Sequence, residues 1–496
     1  MSDYQVPVVT LDTTLAELYK KSLQGSNYTV SLVASFPDGL HLSNQRYVFH
    51  DEEIIDTRND TPAEAGARKA RYFLEAVMQR AIGTQKLAFC AGSGVMVQFS
   101  ALYPENSGSF AARRFERAVI DSLKVLHQTQ VPSLIPTRET DLPVITKQLG
   151  SNDFLALRIP VDRTPESRCV IAPDLHYKLL SKRELANSGL QTPRCDIIDL
   201  GTDAEIAERQ ADEEDISQDP DHLLDAAIIT KFRDDVLRAV RGRNSSFILK
   251  LQHTVAGVGT FLVKSAKDQN DLISRLPLIL DYILGQTNAY NLQLRPSSVI
   301  ISDLVSSSQD PPISYTISMF VHRNGQNPDF ICCVEQDRNV NNIWEGASID
   351  YSWQTHFEAQ FKDRIMETSR YLQSHRHFGP VGIDIVVDTA EKQWIVDLTV
   401  RAPGSLALGL LQNYLWKNGQ PDGFKFAKLI SLLRTGKTKA QFLEAFKLPI
   451  IHGSMILMAW WSENENGAGN NFASLILAGS KVEGIQFLED CLKSHG

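Results

Sequence analysis

The sequence predicts a mixed α/β (α+β) protein built from several domains. The chain has 496 residues, and a length of this order corresponds to two to four domains or subdomains. Short apolar runs that are typical of strands alternate with amphipathic segments that are typical of helices along most of the chain. Near the end of this series, residues 381–409 contain two apolar runs joined by a polar turn, which indicates an antiparallel hairpin.

Four regions follow from these patterns. We predict an N-terminal α/β domain over 1–170, a small subdomain over 171–300, a third region with the hairpin over 301–430, and a C-terminal extension over 431–496. Within the second region, residues 203–225 are strongly acidic and nearly free of aromatic side chains. Such a segment cannot bury enough apolar surface to fold compactly, so we expect an exposed insertion there.

The N-terminal domain should contain both helices and strands. Its helices are predicted from amphipathic spacing and from residues that favour helices, and its strands from short apolar runs. The expected helices are 62–82 and 110–128, and the expected strands are 29–34, 86–89 and 154–159.

The middle of the chain combines a helix with a glycine-bearing loop between strands. A helix should begin near Pro173 and end at Gly189, with Lys178 in its first turn. After a second helix over 226–241, Lys250 closes a strand and is followed by a loop over 254–260. Glycine lets backbone N–H groups approach an anion closely, although two glycines between strands also occur in plain hairpins.

The region before the hairpin continues this alternation. Strands are predicted at 298–305 and 314–323, a less regular segment at 337–353, and a helix at 355–375. Beyond residue 410 we predict helices, then a hairpin of 450–461 against 472–478, and a last helix. No chemistry is evident in that tail.

The hairpin of residues 381–409 carries the chemistry. A turn centred near Ala390 sets Asp384 roughly opposite Asp397, and side-chain alternation places Thr399 and Arg401 on the face of Asp397. Two facing carboxylates repel each other unless one is protonated or a cation lies between them. Mg²⁺ is a natural cation for such a pair because it binds carboxylates, waters and phosphates. A sheet with one solvated face would give the same pattern.

Composition excludes other function classes. The net charge of −9 argues against nucleic acid as a partner, because phosphate backbones are bound by surplus Lys and Arg. No apolar run approaches 18 residues and no secretory signal is visible at the first residues, so we expect a cytoplasmic protein without a membrane partner. The six cysteines lack metal-ligand spacing, which is typical of reduced thiols.

Taken in order, residues 173–411 resemble the ATP-grasp superfamily. A lysine opens a helix that ends in a G-x-x-x-P step, a strand lysine precedes a glycine loop, and a hinge strand precedes the acidic hairpin. The resemblance implies an ATP-grasp fold with an N-terminal preATP-grasp-like domain, a small lid subdomain and a C-terminal nucleotide- and metal-binding domain.

The resemblance also implies roles for individual residues. Contacts to ATP would come from two lysines, from the glycine loop, and from a hinge strand whose backbone pairs with adenine; these residues are Lys178, Lys250, Thr254, Gly257, Gly259, Ser302, Asp303 and Val305. Asp384, Asp397 and Thr399 would hold Mg²⁺, or alternatively Mn²⁺, and Arg401 and Lys250 would act on the transferring phosphoryl group. Relatives usually have asparagine where Thr399 stands and glutamate where Asp397 stands, so metal affinity or geometry could differ.

The implied reaction activates a small-molecule carboxylate as an acyl phosphate and joins it to an amine, with release of ADP and phosphate. Two alternatives stay open, namely a kinase that phosphorylates a hydroxyl and a non-catalytic nucleotide-binding protein. The resemblance also implies a homodimer, because relatives of this kind often form one. The sequence does not identify the acid or the amine.

Overall fold

The protein is described by a computed structural model. The model describes residues 7–36, 45–50, 54, 59–99, 108–137, 142–162, 164–202, 226–254, 257–307, 313–323, 325–339, 342–419, 421–464 and 469–495. The predicted acidic insertion over 203–225 therefore lies outside the described residues. Helices and strands are numbered here in chain order.

A parallel sheet of four strands organises the N-terminal region, with strand order β3-β2-β1-β4. Its strands are β1 (Thr29–Ala34), β2 (Val95–Phe99), β3 (Ser133–Thr137) and β4 (Asp153–Leu157). Its helices are α1 (Leu15–Ser22), α2 (Pro62–Ala91), α3 (Gly108–Leu123) and α4 (Leu142–Gln148). The predicted α/β character of this region is confirmed.

The long helix α2 corrects one prediction. It begins with a capping box between Thr61 and Glu64 and then continues to Ala91, through the residues 86–89 that we expected to form a strand. That short apolar run belongs to a buried helix end, where Leu87 and Ala88 contact the core. Periodicity alone cannot separate a short buried strand from such a helix segment.

An antiparallel sheet of four strands follows, with strand order β5-β8-β6-β7. Its strands are β5 (Cys195–Ile198), β6 (Phe247–Leu251), β7 (Thr260–Val263) and β8 (Val299–Asp303). The accompanying helices are α5 (Pro173–Leu179), α6 (Lys182–Asn187), α7 (Ala226–Arg241) and α8 (Ala266–Leu284). The single helix predicted from Pro173 to Gly189 is wrong, because Ser181 caps a new helix by accepting from the backbone N–H of Glu184.

The third sheet has eight antiparallel strands in the order β13-β12-β9-β10-β11-β14-β16-β15. Its strands are β9 (Ser314–Val321), β10 (Asp329–Arg338), β11 (Trp344–Asp350), β12 (Gly379–Val387), β13 (Gln393–Thr399), β14 (Phe426–Thr435), β15 (Met455–Ser462) and β16 (Asn471–Gly479). Helices α9 (Gln354–Gln360), α10 (Lys362–Ser374), α11 (Leu406–Gly409), α12 (Gln412–Asn418), α13 (Lys439–Ala445), α14 (Lys447–Ile451) and α15 (Val482–His495) complete the chain.

Two predicted elements in this part of the chain differ from the structure. The segment 337–353 is not irregular, because most of it forms the antiparallel pair β10–β11, with residues 340–341 outside the described range. The helix predicted over 355–375 is divided into α9 and α10. Strand β14 crosses residue 430, and the last two strands continue the same sheet, so residues after 430 are structurally joined to the hairpin region.

Contacts between elements of different sheets position the hairpin β12–β13. The hairpin β12–β13 touches the four-stranded sheet and its neighbours through the backbone bonds Ile395 N–H to Gln191 O (2.8 Å) and Thr389 N–H to Ser306 O (3.2 Å). The N-terminal region packs on the eight-stranded sheet through Tyr19, whose ring lies edge-on to Phe320 at 5.0 Å between centroids. Among the described helices, none has the length and apolar character needed to cross a membrane.

Candidate functional site

The two aspartates of the hairpin face each other directly. In the β12–β13 register Asp384 is the partner of Asp397, and a bulge follows between Asp384 and Ile385. Both side chains are half-buried at the cleft. The predicted opposition of the two carboxylates is therefore confirmed, because the polar turn fixes which residues pair across a hairpin.

The surroundings separate the pKa values of the two carboxyls. Burial, reinforced by the charge of Asp397, raises the pKa of Asp384. Burial also acts to raise the pKa of Asp397, but the charge of Lys182 and its hydrogen bond, with the charge of Lys250, outweigh burial and lower that pKa. Asp397 is thus the ionised member of the pair, and an added cation would relieve the repulsion at Asp384.

Two lysines, buried Lys182 and half-buried Lys250, lie beside Asp397. Lys182, at the start of α6, forms an ion pair with Asp397, and its backbone N–H donates to Gln252 O at 3.0 Å. Lys250, near the end of β6, donates from Nζ to Val396 O at 2.9 Å. Burial lowers the pKa of Lys250, Lys182 lowers it further, and Asp397 opposes both effects. The structure thus places Lys250 beside the hairpin, and its contact with nucleotide phosphates stays a prediction.

Lys178 is not brought to this cluster. It is exposed on α5, and its charge acts on Asp174 of the same helix. The lysine beside the carboxylates is Lys182, which the sequence reading missed. The available signal was Ser181, because an N-cap serine places the next residue at the first position of a new helix.

A short hydrogen-bonded chain holds Asp384 from the sheet side. Thr316 Oγ1 on β9 donates to Asp384 Oδ1 at 2.8 Å, and Gln336 Nε2 on β10 donates to Thr316 Oγ1 at 2.5 Å. Sequence reasoning did not identify either residue. Their role depends on strand order, since β9 lies between β12 and β10 in the sheet. Such outer contacts orient a metal-binding carboxylate.

Thr399 is the last residue of β13, and Arg401 follows it by two residues. Thr399 is paired with Gly382, two positions along from the Asp384–Asp397 pair, so it shares their face. Burial lowers the pKa of Arg401, while Asp397 and Asp384 act to raise it. The adjoining backbone is fixed by buried His176, whose Nε2 lies 2.8 Å from Val400 O and therefore carries the proton. Burial lowers the pKa of His176 to about 4, so the ring is neutral at pH 7.

One face of the four-stranded sheet adjoins the hairpin through Lys250. Across the sheet Lys250 is paired with Ile300 and Thr260, and Ser302 stands two residues beyond Ile300, so these side chains share a face. The hinge begins here: Ser302 is buried, Asp303 forms an ion pair with Arg243, and Val305 follows in the connecting segment.

The glycine loop is described in part. Residues 255–256 lie outside the described range, while Thr254, Gly257 and Gly259 lie within it. Gly257 and Gly259 have φ values of +92° and +71°, which favour glycine. A Cβ at Gly257 would lie 2.7 Å from Asn342 O, so the loop packs closely against the β10–β11 connection.

The donor set fits a hard cation that also binds phosphate. Within the part of the chain that the structure describes, no group of three or more His, Cys, Asp and Glu side chains is arranged to hold a metal ion. Two carboxylates facing a cleft with lysines beside them match the way Mg²⁺ binds, namely through one or two carboxylates together with waters and substrate phosphates.

The comparisons with known proteins give structural likenesses. No family model and no curated protein matches the chain. Among solved structures, it is similar to N5-carboxyaminoimidazole synthetase from Staphylococcus aureus with ADP, at 10% identity over 95% of this chain and 97% of that one, with a TM-score of 0.47. Phosphoribosylamine–glycine ligase from Thermotoga maritima gives 10% identity over 94% and 96%, with a TM-score of 0.47.

A third similar structure is the biotin carboxylase domain of Hydrogenobacter thermophilus 2-oxoglutarate carboxylase with MgADP, ADP and bicarbonate. It has 8% identity over 94% of this chain and 90% of that one, with a TM-score of 0.43. Two of these three structures contain ADP. With TM-scores below 0.5, these likenesses by themselves assign no role to this chain.

Proposed function

We propose that this protein is an ATP-dependent ligase that activates a carboxylate as an acyl phosphate and joins it to an amine. The observation that carries the proposal is the arrangement of Asp384 opposite Asp397, with Lys182 and Lys250 around Asp397. Carboxylate and triphosphate are both anionic, so their approach requires cations at the transferring group. This cleft supplies those cations and a pair of metal-binding carboxylates.

Each residue has a definite task in this proposal. Asp384 and Asp397 hold Mg²⁺, with Thr316 and Gln336 keeping Asp384 oriented. Mg²⁺, when bound, neutralises charge on the β- and γ-phosphates. Lys182 and Lys250 exchange their present contacts with the hairpin for phosphate oxygens.

The nucleotide base is assigned to the hinge. Adenine lies against the segment from Ser302 to Val305, where backbone groups pair with it, and the loop of Thr254, Gly257 and Gly259 lies over the phosphates. Support comes from the shared face of Ser302 and Lys250, because adenine and phosphates occupy the same side of one sheet.

The reaction proceeds in two displacements. A carboxylate oxygen of the acid attacks the γ-phosphorus, the bond to the β–γ bridging oxygen breaks, and ADP leaves with that electron pair. Arg401 stabilises the acyl phosphate, since it lies within electrostatic reach of both aspartates. The amine then attacks the acyl carbon, phosphate leaves with the C–O electron pair, and it accepts the proton that the amine loses.

Thermal unfolding with and without MgATP tests the nucleotide site. Saturation at 100 times the dissociation constant adds about 2.7 kcal/mol to the free energy of unfolding. We expect a magnesium-dependent stabilisation that is lost in Asp397→Asn and Lys250→Ala and kept in Lys124→Gln, whose lysine is exposed on the N-terminal region. Wild-type protein that millimolar MgATP does not stabilise would contradict the proposal.

Hydroxylamine then distinguishes the ligase from a kinase. An acyl phosphate reacts with hydroxylamine to give a hydroxamate, whereas a phosphate ester does not. With candidate acids present, we expect ADP release together with a hydroxamate of the acid. ADP release with a stable phosphorylated alcohol and no hydroxamate would instead establish a kinase.

A further inference from the structure

Three cations lie close together where the parallel sheet meets the residues that follow β13. Arg401 follows β13, Arg158 follows β4, and Lys86 lies on α2. Arg158 and Arg401 line one pocket, whose apolar wall includes Tyr19, Leu32 and Leu157. Lys86 interacts electrostatically with both arginines.

Within the described part of the chain, none of these three cations forms an ion pair with a carboxylate. Among the described residues, neither Arg158 nor Arg401 forms an ion pair, and Lys86 Nζ donates to the neutral Ser431 Oγ at 2.9 Å. By contrast, Lys182 and Arg243 are each paired with aspartate. Burial and then the charge of Arg158 lower the pKa of Lys86 to about 7. Among the described residues, the two arginines of this pocket thus form no ion pair, and the charges of Asp384 and Asp397 act on Arg401 from the hairpin.

Aromatic rings hold two of the cations in place. The guanidinium carbon of Arg158 lies 4.0 Å from the centroid of Phe36, and Lys86 Nζ lies 5.2 Å from the centroid of Trp344. A ring attracts a cation through its quadrupole but does not neutralise it. Each charge is thus positioned and still available to an anion.

Each ring in turn packs against a glycine. A Cβ at Gly83 would lie 2.1 Å from Phe36 Cε1, and a Cβ at Gly404 would lie 2.6 Å from Trp344 Cη2. Gly83 is inside α2, where glycine is unfavourable, and it lies one turn before Lys86 on the same helix face. The close approach of Phe36 gives the physical reason for glycine at this position.

The pocket lies where sheets of this kind bind ligands, and its free volume of about 30 Å³ must widen to admit an acid. Phe36 and Arg158 lie just beyond the carboxyl ends of the adjacent parallel strands β1 and β4. Ligands of open α/β sheets bind in the crevice outside the carboxyl ends of the strands. Arg401 connects this crevice to the hairpin, since it acts on Asp384 and Asp397 as well as on Lys86 and Arg158.

We propose that Arg158, Lys86 and Arg401 bind the acid substrate, and that this acid carries a second anionic group. This inference rests on the proposed function. Arg401 holds the carboxylate that is activated, because it is the one of these three cations on which both Asp384 and Asp397 act electrostatically. Arg158 and Lys86 hold the second group, a carboxylate or a phosphate, at the end of the parallel sheet.

Binding of three short acids tests the charge requirement. Butyrate carries one anionic group, whereas succinate and 3-phosphonopropionate carry two on a chain of similar length. By calorimetry with MgADP present, we expect at least one of the two dianions to bind the wild type at least tenfold more tightly than butyrate. The preferred dianion identifies the second group. Equal affinities for all three acids would overturn the proposal.

Variants test whether Arg158 and Lys86 bind the second anionic group. Arg158→Gln should remove most of the preference for the dianion, and Lys86→Met should reduce it. Gly83→Ala should reduce it as well, because its methyl group displaces Phe36 while all charges remain. The control Lys124→Gln removes an exposed lysine and should keep the full preference. A preference that survives in both Arg158→Gln and Lys86→Met would overturn the assignment.

Failure here is distinguishable from failure of the proposed function. Arg158→Gln should keep the thermal stabilisation by MgATP, because Arg158 has no part in the nucleotide site. Without ligand it should have a Tm close to that of the wild type, because the loss of a buried cation offsets the loss of its contact with Phe36. Loss of MgATP stabilisation in the wild type would contradict the proposed function, whereas equal binding of mono- and dianions would contradict only this inference.

Discussion

Replacing Lys182 should weaken MgATP binding much more than replacing Lys178. A hydrogen bond to a charged group contributes about 1.5–3 kcal/mol, which corresponds to roughly 10- to 150-fold in the dissociation constant. The side chain of Lys182 is only 9% exposed, so solvent screens it little. It must leave Asp397 to reach phosphate, which offsets part of the gain. We therefore expect Lys182→Met to weaken MgATP binding by about tenfold, and Lys178→Met by less than about twofold.

The same change has a cost in stability. Removing one partner of a buried ion pair costs about 3–5 kcal/mol. Asp397 is 31% exposed and keeps Lys250 nearby, so we expect Lys182→Met to lower the free energy of unfolding by only about 1–2 kcal/mol. With an unfolding entropy of about 2.1 cal/mol/K per residue, a chain of 496 residues that unfolds as one unit would lose about 1–2 °C in Tm.

The assay is calorimetric titration with MgATP or a non-hydrolysable analogue, on both variants and the wild type, with Tm measured on the same preparations. The two lysines lie four residues apart and differ in burial, so they form a matched pair. Equal weakening in both variants, or weakening only in Lys178→Met, would refute the assignment of Lys182 to the phosphates.

Three further predictions concern the carboxylates, the buried histidines and Thr399. Asp384→Asn should raise the stability of the nucleotide-free protein at pH 7, because burial and Asp397 raise the pKa of Asp384 and its ionised form is unfavourable. The same variant should lose its magnesium-dependent stabilisation. An unchanged magnesium response in a thermal unfolding assay would contradict this. Burial lowers the pKa of His176 to about 4 and those of His253 and His377 to about 3. The unfolded state therefore takes up protons first, and the free energy of unfolding should fall as pH drops below about 6.5. The expected loss is roughly 1–2 kcal/mol per histidine at about pH 5. Denaturant titrations from pH 7.5 to 5 measure this slope, and constant stability would be the contrary result. Thr399→Asn should lower the Mg²⁺ concentration for half-maximal stabilisation by ATP, because an amide oxygen is a better ligand than a hydroxyl; a higher requirement would argue against Thr399 beside the metal.

Local sequence patterns determined much of the fold and the centre of the site. The parallel α/β region, the helix Ala226–Arg241 and the strand Thr29–Ala34 were predictable because their periodicity agrees with their burial. The opposition of Asp384 and Asp397 was predictable for a related reason: a short turn fixes the register of its own two strands. Lys250 was identifiable because it closes a strand before a glycine loop.

Other parts of the site depend on contacts between residues far apart in the chain. Thr316 and Gln336 reach Asp384 only through the strand order of the eight-stranded sheet, and Lys182 meets Asp397 across 215 positions. The sequence showed that a lysine opens a helix in this region, but not which of two lysines faces the carboxylates. That choice follows from a break in the helix at Ser181 and from packing of its start on Gln252.

The cationic pocket was decided by tertiary structure alone. Lys86 stood in a segment that the sequence assigned to a strand, and only the full length of α2 turns it towards Trp344. The sequence places Arg158 at the end of a strand but does not show that its guanidinium packs on Phe36. Periodicity reports which face of an element is buried, whereas the grouping of unpaired charges depends on how separate elements pack together, and that information is distributed over the whole chain.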